Sequence, residues 1–282
     1  MTEIQAIYQG KLNPLSAVKV SPLSRAYTFS DSIYEVIPYF LGKPLCFQKH
    51  FDRIKTSALL MDLDINFEII YSDLKKLEKS FIDQDGYIYY QISRGIDSIR
   101  SHLYEDSLEI ERFGYAIFTD FPSSAISAML CEDYRWGKCN IKSTSLLGNV
   151  LAMNEAKSSG CTEVVMHRDG LMTEAGASNV FYFDSNGTIR TSSLKENILP
   201  GITRAILIDA LKETPFLVKE GNCSIQDFDQ SPCIWLTSST KGILPLKKLM
   251  GTKYKLNSHY QGFKHILRVF NSAMKLHLEA SA

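Results

Sequence analysis

Lysine and glutamate side chains at the ends of predicted elements are the first chemically suggestive positions of this sequence. Lys142 ends the short, extended stretch Cys139–Lys142 at a predicted strand-to-helix junction. A lysine in such a place can form a Schiff base when its pKa is lowered or a carbonyl partner captures it. Glu174 precedes the small-residue run Ala175–Ser178, which lets a flat ring approach the backbone closely. Taken alone, a lysine after a strand is more often a solvated charge, and a carboxylate at the edge of a hairpin is the simpler interpretation of Glu174.

Two segments rich in glycine, serine and threonine can bind a phosphate. Gly201–Thr203 opens a predicted helix, and Ser238–Thr240 follows a predicted strand. Backbone N–H groups, hydroxyls and the dipole of a helix together suit an anion. Helix capping explains each segment without a ligand, so the pair is suggestive only in combination with other features.

Several other chemistries lack their sequence signatures. The chain contains no GxGxxG, GxxxxGK[ST], HExxH or GxSxG motif. Ser238 and Lys241 fit the S-x-x-K pattern of serine acyl-enzymes, but no S-D-N or K-T-G motif accompanies them. The six histidines include no i, i+4 pair and the six cysteines no CxxC. We therefore expect reduced thiols and no metal site.

Composition excludes further classes of function. Thirty-one Lys and Arg residues balance thirty-one Asp and Glu residues, which gives a net charge of zero and predicts no binding to nucleic acid or to a membrane surface. The apolar runs are far shorter than the ~18 residues of a membrane span. The first residues, Met1–Gln5, show no signal-peptide pattern. The expected location is the cytoplasm.

The periodicity of apolar residues predicts the elements that position these side chains. We place a domain linker at Asp120–Ser124, which predicts a smaller N-terminal α/β domain of residues 1–120 and a larger C-terminal one of residues 121–282. The predicted helices are His50–Leu63, Tyr71–Ile82, one capped by Ser143 or Thr144 and stopped at Gly160, Gly201–Leu211 and His259–Leu278. The predicted strands include Gly86–Arg94, Tyr115–Thr119, two hairpins with turns at Asp169-Gly170 and Ser185–Gly187, and Ile234–Thr237.

The order of the motifs carries more information than any one of them. The series closely resembles the fold-type IV pyridoxal-phosphate enzymes, a family that contains D-amino-acid and branched-chain aminotransferases and aminodeoxychorismate lyase. The resemblance implies a mixed α/β (α+β) two-domain fold with pyridoxal 5'-phosphate in the cleft between the domains. The motifs that carry it are Ile141–Ser143, Glu163–Gly170, Thr173–Phe181, Ile198–Arg204 and Thr237–Thr240.

The resemblance also assigns roles to individual residues. It makes Lys142 the lysine that binds the cofactor as a Schiff base and then moves the substrate's Cα proton. Glu174 matches the carboxylate that pairs with the pyridine nitrogen and keeps it protonated. Leu199 lies against the ring face. The residues that match the phosphate cup are Arg53, in His50–Arg53, together with Ile202, Thr203, Ser239 and Thr240.

The substrate side of the site is similar to that of the D-amino-acid aminotransferases. In those enzymes an arginine and a histidine two residues apart, with a tyrosine from the N-terminal segment, hold the substrate α-carboxylate. Arg100, His102 and Tyr34 are the matching residues. An arginine fork suits a carboxylate, and alternate residues of an extended loop face the same side.

Three residues depart from the family pattern. Ser30 and Ser32 stand where relatives commonly have glycine, which places side chains near the mouth of the active site. Lys241 follows the phosphate segment where a small residue is common. It can add charge beside the phosphate, bind a second carboxylate or point to solvent, and we favour solvent.

The predicted function is ping-pong transamination between a D-amino acid such as D-alanine and a 2-oxo acid. The lyase that splits 4-amino-4-deoxychorismate into 4-aminobenzoate and pyruvate is the first alternative, and branched-chain transamination the second. A non-catalytic pyridoxal-phosphate-binding protein and a serine acyl-transfer enzyme remain as other classes. The resemblance further implies a homodimer in which the loop of Arg100 and His102 reaches the partner's active site.

Overall fold

Two separate β-sheets organise the chain in the computed structural model, which describes residues 3–196 and 198–280. The described residues up to Asp120, the segment Ile141–Ser145 and the residues from Leu278 onward form a first unit. Phe121–Asn140 and Leu146–His277 form a second unit. The segment that carries Lys142 thus makes its contacts within the first unit.

The described residues of the first unit form a six-stranded antiparallel sheet and three α-helices. Its strand order is β2-β1-β6-β5-β3-β4. The strands are β1 (Gln5–Tyr8), β2 (Lys11–Pro14), β3 (Ser32–Phe40), β4 (Lys43–Pro44), β5 (Gly86–Ser93) and β6 (Glu111–Phe118). The helices are α1 (Arg25–Phe29), α2 (Phe47–Leu60) and α3 (Phe67–Glu78).

The two faces of this sheet have different environments because side chains alternate along each strand. One face carries Ile33, Ile37 and Ile88, which are buried in one hydrophobic cluster with Phe51 of α2 and Leu74 of α3. Each such buried side chain stabilises the unit by about 1.5–3 kcal/mol. The other face, which we call the aromatic face, carries the half-buried side chains of Tyr34, Tyr89, Gln91, Phe113 and Tyr115.

The second unit contains a mixed eight-stranded sheet in the order β12-β11-β10-β13-β14-β7-β8-β9. Its strands are β7 (Ile126–Glu132), β8 (Glu163–Arg168), β9 (Leu171–Ala175), β10 (Asn179–Phe183), β11 (Ile189–Ser192), β12 (Val218–Gly221), β13 (Ile234–Ser238) and β14 (Gly242–Met250). Its helices are α4 (Leu147–Ser158), α5 (Ile202–Leu211) and α6 (Gln261–Glu279). Every residue of β10 is buried, which is typical of a strand packed on both faces.

The periodic elements that the sequence predicts are present, with boundaries shifted by a few residues. The Asp169-Gly170 turn is confirmed, since both residues have positive φ, 50° and 75°. The prediction that Cys139–Lys142 is extended is wrong, because only Ser143 forms an isolated bridge there, to Ile33. Neither Ser143 nor Thr144 caps α4, whose N-cap is Leu146.

Three apolar residues of α4, which we call its apolar stripe, lie on the surface rather than in a core. Leu147 is 70% exposed, Val150 51% and Leu151 63%, whereas Ala156 is buried. The periodicity therefore identified the helix but not the environment of this face.

Three properties of the described residues bear on the composition arguments. Within residues 3–196 and 198–280, no helix is long and apolar enough to cross a membrane. The same residues contain no cluster of three or more histidine, cysteine or acidic side chains arranged around a metal-sized space. The six cysteines are free thiols.

Candidate active site

Lys142 lies in an irregular segment along the edge of β3. Tyr34 N–H donates to the Lys142 carbonyl at 2.9 Å, and Lys142 N–H donates to Ser57 Oγ at 3.3 Å. These bonds fix the backbone of the lysine against both β3 and α2. Its Nζ lies 4.1 Å from the centroid of the Tyr34 ring. The amine nitrogen therefore lies over the Tyr34 ring, while the Lys142 side chain stays partly exposed.

Arg53 forms a buried ion-pair network beneath this part of the sheet. Its Nε and Nη2 donate to both carboxylate oxygens of Glu35, at 2.9 and 2.6 Å. His50 Nδ1 is 3.0 Å from the same carboxylate. Burial opposes ionisation of Glu35, but Arg53 and His50 hold its pKa below the usual range. Burial lowers the pKa of His50. Glu35 thus orients the arginine predicted to bind phosphate.

Arg100 and His102 lie together on one aromatic ring. The Arg100 guanidinium is 4.8 Å from the Phe29 centroid, and the His102 ring centroid is 5.4 Å from it. Both side chains are exposed. Among the described residues neither forms an ion pair with a carboxylate. Tyr34 instead makes its ring contacts with Tyr89 and Lys142.

The loop that presents Arg100 and His102 is fixed by another arginine. Arg25 donates to Asp97 at 2.9 Å and to the carbonyl of Ser101 at 2.9 Å. Arg25 is 3% exposed, so these hydrogen bonds connect the loop to a buried arginine. The two predicted carboxylate-binding side chains therefore project from an anchored loop.

The two serines that depart from the family pattern have separate structural roles. Ser30 ends α1 in the left-handed conformation, with φ 53°, which a non-glycine residue adopts at a cost of roughly 1 kcal/mol. Ser32 is fully buried, and its Oγ is 2.5 Å from Thr144 Oγ1. The Ser32 hydroxyl therefore fastens the segment of Lys142 to β3 instead of crowding an open space.

Glu174 is a buried carboxylate at the end of β9 in the second unit, 4% exposed. Its Oε1 accepts from Arg135 Nη1 at 2.6 Å. Its Oε2 accepts from Asn179 Nδ2 at 3.0 Å and from Leu199 N–H at 3.1 Å. Burial raises the pKa of Glu174 to about 7, although Arg135 and the Leu199 amide favour the charged form.

Arg135 connects Glu174 to a second buried carboxylate. Its Nε and Nη2 donate to Asp133 at 2.9 and 2.8 Å. Thr173 Oγ1 also donates to Asp133, at 2.8 Å. Burial alone would lower the pKa of Arg135, but Asp133 and Glu174 raise it above its usual value. The arginine therefore stays charged and fixes the orientation of Glu174.

Leu199 and the start of α5 are joined to the same carboxylate through Asn179. The Asn179 side chain donates to the Leu199 carbonyl at 2.9 Å as well as to Glu174. A Cβ at Gly201 would lie 2.0 Å from Asn179 Oδ1, so a larger residue at this position would displace the Asn179 side chain. The N-cap residue of α5 is Gly201, which has no side chain to cap the helix, so no side chain of the N-cap residue covers the N–H groups of Ile202 and Thr203 in the described structure.

Ser239 and Thr240 form the turn between β13 and β14. Helix α5 packs against β13, so this strand and the helix start belong to one packed pair of elements. The buried hydroxyls of Thr237 and Ser238, at the end of β13, have no hydrogen-bond partner among residues 3–196 and 198–280. A buried unpaired hydroxyl is costly, and an oxygen-rich anion would satisfy it. Thr237 and Ser238 are therefore further candidates for contact with a phosphate.

Lys241 does not point to solvent, and that prediction is wrong. Its Nζ lies 2.5 Å from Oε2 of Glu163, a carboxylate that is fully buried. The side chain of Lys241 itself is 21% exposed. The ion pair joins the β13–β14 turn to Glu163, the first residue of β8. The side chain of Lys241 turns inward because its charge stabilises this buried carboxylate.

Three residues that the sequence analysis left without a role belong to these networks: Glu35, Arg135 and Asn179. Glu35 adjoins the predicted site residue Tyr34, and Asn179 lies within the motif Thr173–Phe181. For these two, the neighbouring site residue or motif was the available signal, whereas Arg135 adjoins neither. Their partners could not be identified, because Arg135 and Glu174 are 39 residues apart in sequence.

The family of the chain is shown by comparison with known proteins. Residues 32–249 match the model of the family described as amino-transferase class IV. The D-alanine aminotransferase of Listeria innocua is 33% identical over 237 residues, which is 81% of this chain and 82% of the relative. That of Staphylococcus aureus is 30% identical and covers 84% of this chain and 86% of the relative. The chain belongs to the class IV aminotransferases, a fold-type IV enzyme family whose members use pyridoxal 5'-phosphate.

Solved structures share the fold. The branched-chain amino acid aminotransferase of Escherichia coli superposes with a TM-score of 0.84 at 19% identity and covers 96% of this chain and 94% of its own. A putative 4-amino-4-deoxychorismate lyase from Legionella pneumophila has a TM-score of 0.80 at 19% identity. The superposition covers 92% of this chain and 97% of the lyase chain. The resemblance to this family and the mixed α/β fold predicted from it are confirmed.

The described residues fit the cofactor that this family uses. Glu174 is a buried carboxylate whose charge is not fully compensated, as its raised pKa indicates. A protonated ring nitrogen would supply that compensation. Unpaired hydroxyls and an uncapped helix start suit the phosphate. A partly exposed lysine amine over Tyr34 suits the carbonyl carbon.

Proposed function

We propose that this aminotransferase transfers the amino group of D-amino acids such as D-alanine to a 2-oxo acid by a ping-pong mechanism. The observation that carries the proposal is the pairing of Arg100 and His102 on the Phe29 ring. Two cationic or hydrogen-bonding side chains without a carboxylate partner among the described residues are suited to a substrate carboxylate. The names of the relatives from Listeria innocua and Staphylococcus aureus support the same substrate class.

The proposed roles follow the chemistry of each side chain. When bound, pyridoxal 5'-phosphate supplies a ring that accepts the electron pair released at the substrate Cα. Lys142 binds the cofactor and moves the proton at Cα with its amine. Glu174, oriented by Arg135 and Asn179, presents a carboxylate to the ring nitrogen, and Leu199 lies against the ring. Arg53, Ile202, Thr203, Ser239 and Thr240 bind the phosphate.

Tyr34 has two functions in this proposal. Its ring lies 4.1 Å from Lys142 Nζ, and this contact limits the orientations of the amine. Its hydroxyl assists Arg100 and His102 in binding the α-carboxylate.

A labelling experiment tests the cofactor lysine. Borohydride reduction of the holoenzyme followed by peptide mapping should place the pyridoxyl group on Lys142. The variant Lys142→Ala should lose turnover, whereas Lys138→Ala, which changes an exposed lysine nearby, should keep it. A label elsewhere with active Lys142→Ala would refute the assignment.

A substrate panel tests the reaction. D-alanine with 2-oxoglutarate should yield pyruvate and D-glutamate. Release of 4-aminobenzoate from 4-amino-4-deoxychorismate, with no product from D-alanine, would instead establish the lyase. Turnover of L-leucine alone would establish branched-chain transamination.

The quaternary structure and location belong to the same proposal. We infer a homodimer in which the loop of Arg100 and His102 serves the partner's active site, and a cytoplasmic enzyme that acts on small molecules. The apolar stripe of α4 supports the dimer, because exposed apolar patches mark association surfaces.

A further inference from the structure

A cavity in the first unit carries a buried carboxylate that none of the proposed catalytic roles uses. The cavity has a volume of about 270 Å³ and opens between the aromatic face and the segment around α1. The residues that matter for its chemistry are Tyr8, Ser24, Tyr27, Gln91, Glu111 and Phe113.

Glu111 is the charged group of this cavity and is 5% exposed. Its two oxygens accept from Tyr8 Oη at 2.7 Å and from Ser24 Oγ at 2.5 Å. None of the ion pairs formed within residues 3–196 and 198–280 includes Glu111. A carboxylate has about four acceptor sites. Two hydroxyl donors therefore leave capacity for a further donor.

The electrostatics favour a cation as that donor. A buried anion without a positively charged partner is costly, and a cation in contact with it removes much of that cost. Burial and Glu111 raise the pKa of Tyr8 to about 12, so the tyrosine remains a neutral donor. Phe113 and Tyr27 provide aromatic surface for an aliphatic stem and for a cationic end.

The sheet register places this cavity on the same face as the candidate catalytic lysine. Tyr34 of β3 lies opposite Gln91 of β5, and Gln91 lies opposite Phe113 of β6. Glu111 is two residues from Phe113 and therefore faces the same side. Two interstrand spacings of about 4.8 Å separate β3 from β6, and Glu111 lies two residues of about 3.4 Å each from Phe113 along β6, so the backbones of Tyr34 and Glu111 are roughly 12 Å apart. Because Tyr34 contacts Lys142, a substrate held there can extend along this face toward Glu111.

We propose that the Glu111 cavity binds the cationic end of a substrate side chain, so that the enzyme favours D-amino acids with basic side chains such as D-ornithine. This inference rests on the proposed D-amino-acid transamination. It names a substrate class that the binding of the α-carboxylate by Arg100 and His102 does not determine.

The test compares D-ornithine with D-norleucine, which has nearly the same length but a neutral end. The wild-type enzyme should show about a tenfold or higher kcat/KM for D-ornithine, the range expected for one hydrogen-bonded charge contact. Glu111→Gln should reduce the ratio of the two kcat/KM values to near one. Glu109→Gln, which neutralises an exposed carboxylate two residues earlier, should keep the wild-type ratio.

A binding measurement is independent of turnover. Butylguanidinium carries a planar cation that pairs well with a carboxylate. Calorimetric titration of the holoenzyme should show saturable binding that Glu111→Gln abolishes and Glu109→Gln retains. If Glu111→Gln does not fold, Val20→Trp narrows the same cavity from its exposed rim. It should weaken both butylguanidinium binding and the preference for D-ornithine.

The outcomes separate this inference from the proposed function. Turnover of D-alanine and D-norleucine with no preference for D-ornithine would overturn the inference and leave D-amino-acid transamination intact. Failure of every D-amino acid would overturn the proposed function. Absence of butylguanidinium binding, as expected if a side chain of a second copy fills the cavity, would also overturn the inference.

Discussion

At the scale of single residues, Glu174 gives the clearest dependence on pH. Its pKa rises from 4.5 to about 7 in the folded protein, chiefly because of burial. Below about pH 4.5 the carboxyl is protonated in both the folded and unfolded states. As pH rises through about 7, the unfolded state releases its proton first, so the folded state loses stability. At 1.36 kcal/mol per pKa unit the loss is about 3 kcal/mol.

The variant Glu174→Gln does not titrate and should reveal this loss. In cofactor-free protein, the melting temperature of the wild type relative to the variant should fall steadily between pH 5 and pH 8. Circular dichroism melts at four pH values measure the difference. A constant difference would show that Arg135 keeps the carboxylate ionised throughout the range.

The ion pair of Lys241 and Glu163 provides a second prediction at this scale. Lys241→Met leaves a fully buried carboxylate without its cation. Loss of one partner of a buried pair costs about 3–5 kcal/mol, and the partial exposure of Lys241 favours the lower end. Urea denaturation of the holoenzyme should show this decrease in the free energy of unfolding.

Two variants serve as controls for the ion pair. Lys247→Met removes an exposed lysine from β14 and should change stability by less than about 0.5 kcal/mol. Adding Glu163→Gln to Lys241→Met removes the uncompensated charge and should restore much of the lost stability. Equal stability of Lys241→Met and wild type would mean that Glu163 does not depend on the lysine.

At the scale of elements, the turn before α5 couples the carboxylate to the start of the helix. Gly201→Ala places a Cβ against Asn179 Oδ1, which must then move away from Glu174 and Leu199. The affinity for pyridoxal 5'-phosphate should fall about tenfold or more, since a misplaced buried hydrogen-bond partner costs about 1–3 kcal/mol. Titration of cofactor-free protein, followed by fluorescence quenching, gives the affinity.

Gly221→Ala is the matched control for this glycine. Its added Cβ meets no atom within 4 Å, although the Gly221 backbone pairs with Ser192 of β11. The control should bind the cofactor as wild type does. Wild-type affinity of Gly201→Ala would show that Asn179 does not orient the turn.

Local patterns predicted most elements, and non-local contacts explain what they missed. Alternation identified β5, and the Asp-Gly pair identified a hairpin, because both signals depend on neighbouring residues. The start of α2 was predicted three residues late, because its N-cap residue in the described structure, Cys46, forms no side-chain capping hydrogen bond. The segment of Lys142 is held by Tyr34 and Ser57, which are remote in sequence, so no local pattern describes it.

In the candidate site, too, local sequence patterns identified residues but not the contacts between residues remote in sequence. Lys142 and Glu174 were chosen from residue type and motif order. The environment of Glu163 and Lys241 could not be inferred, because 78 residues separate the two partners. Their pairing depends on how β8 and the β13–β14 turn fold within the sheet of the second unit.

At the scale of the whole molecule, the exposed apolar residues of α4 bear on association with another chain. Helix α4 exposes Leu147, Val150 and Leu151 on one side, at the i, i+3, i+4 spacing of a helical face. Exposed apolar residues that are contiguous favour contact with another surface. A second copy of the chain is the partner that the proposed homodimer supplies.

Subunit mixing tests whether that dimer completes the active site. Lys142→Ala and Arg100→Ala homodimers should each be nearly inactive with D-alanine. If the loop of Arg100 and His102 serves the partner's site, a mixed dimer contains one site with both wild-type residues. Activity should then reappear on exchange, toward about a quarter of the wild-type value under statistical mixing, because half of the dimers are mixed and each has one intact site.

The controls determine how the mixing result is interpreted. Light scattering and affinity tags of two kinds should verify that subunits exchange. A mixture of Lys142→Ala with Glu174→Gln should not recover activity if both residues serve the same subunit's site, since neither site of the mixed dimer is then intact. Suppose that Lys142→Ala recovers activity when mixed with Glu174→Gln but not when mixed with Arg100→Ala. The Arg100 loop would then lie in the active site of its own subunit, contrary to the proposal. No recovery in any pair, despite verified exchange, would show that each chain provides its own complete site.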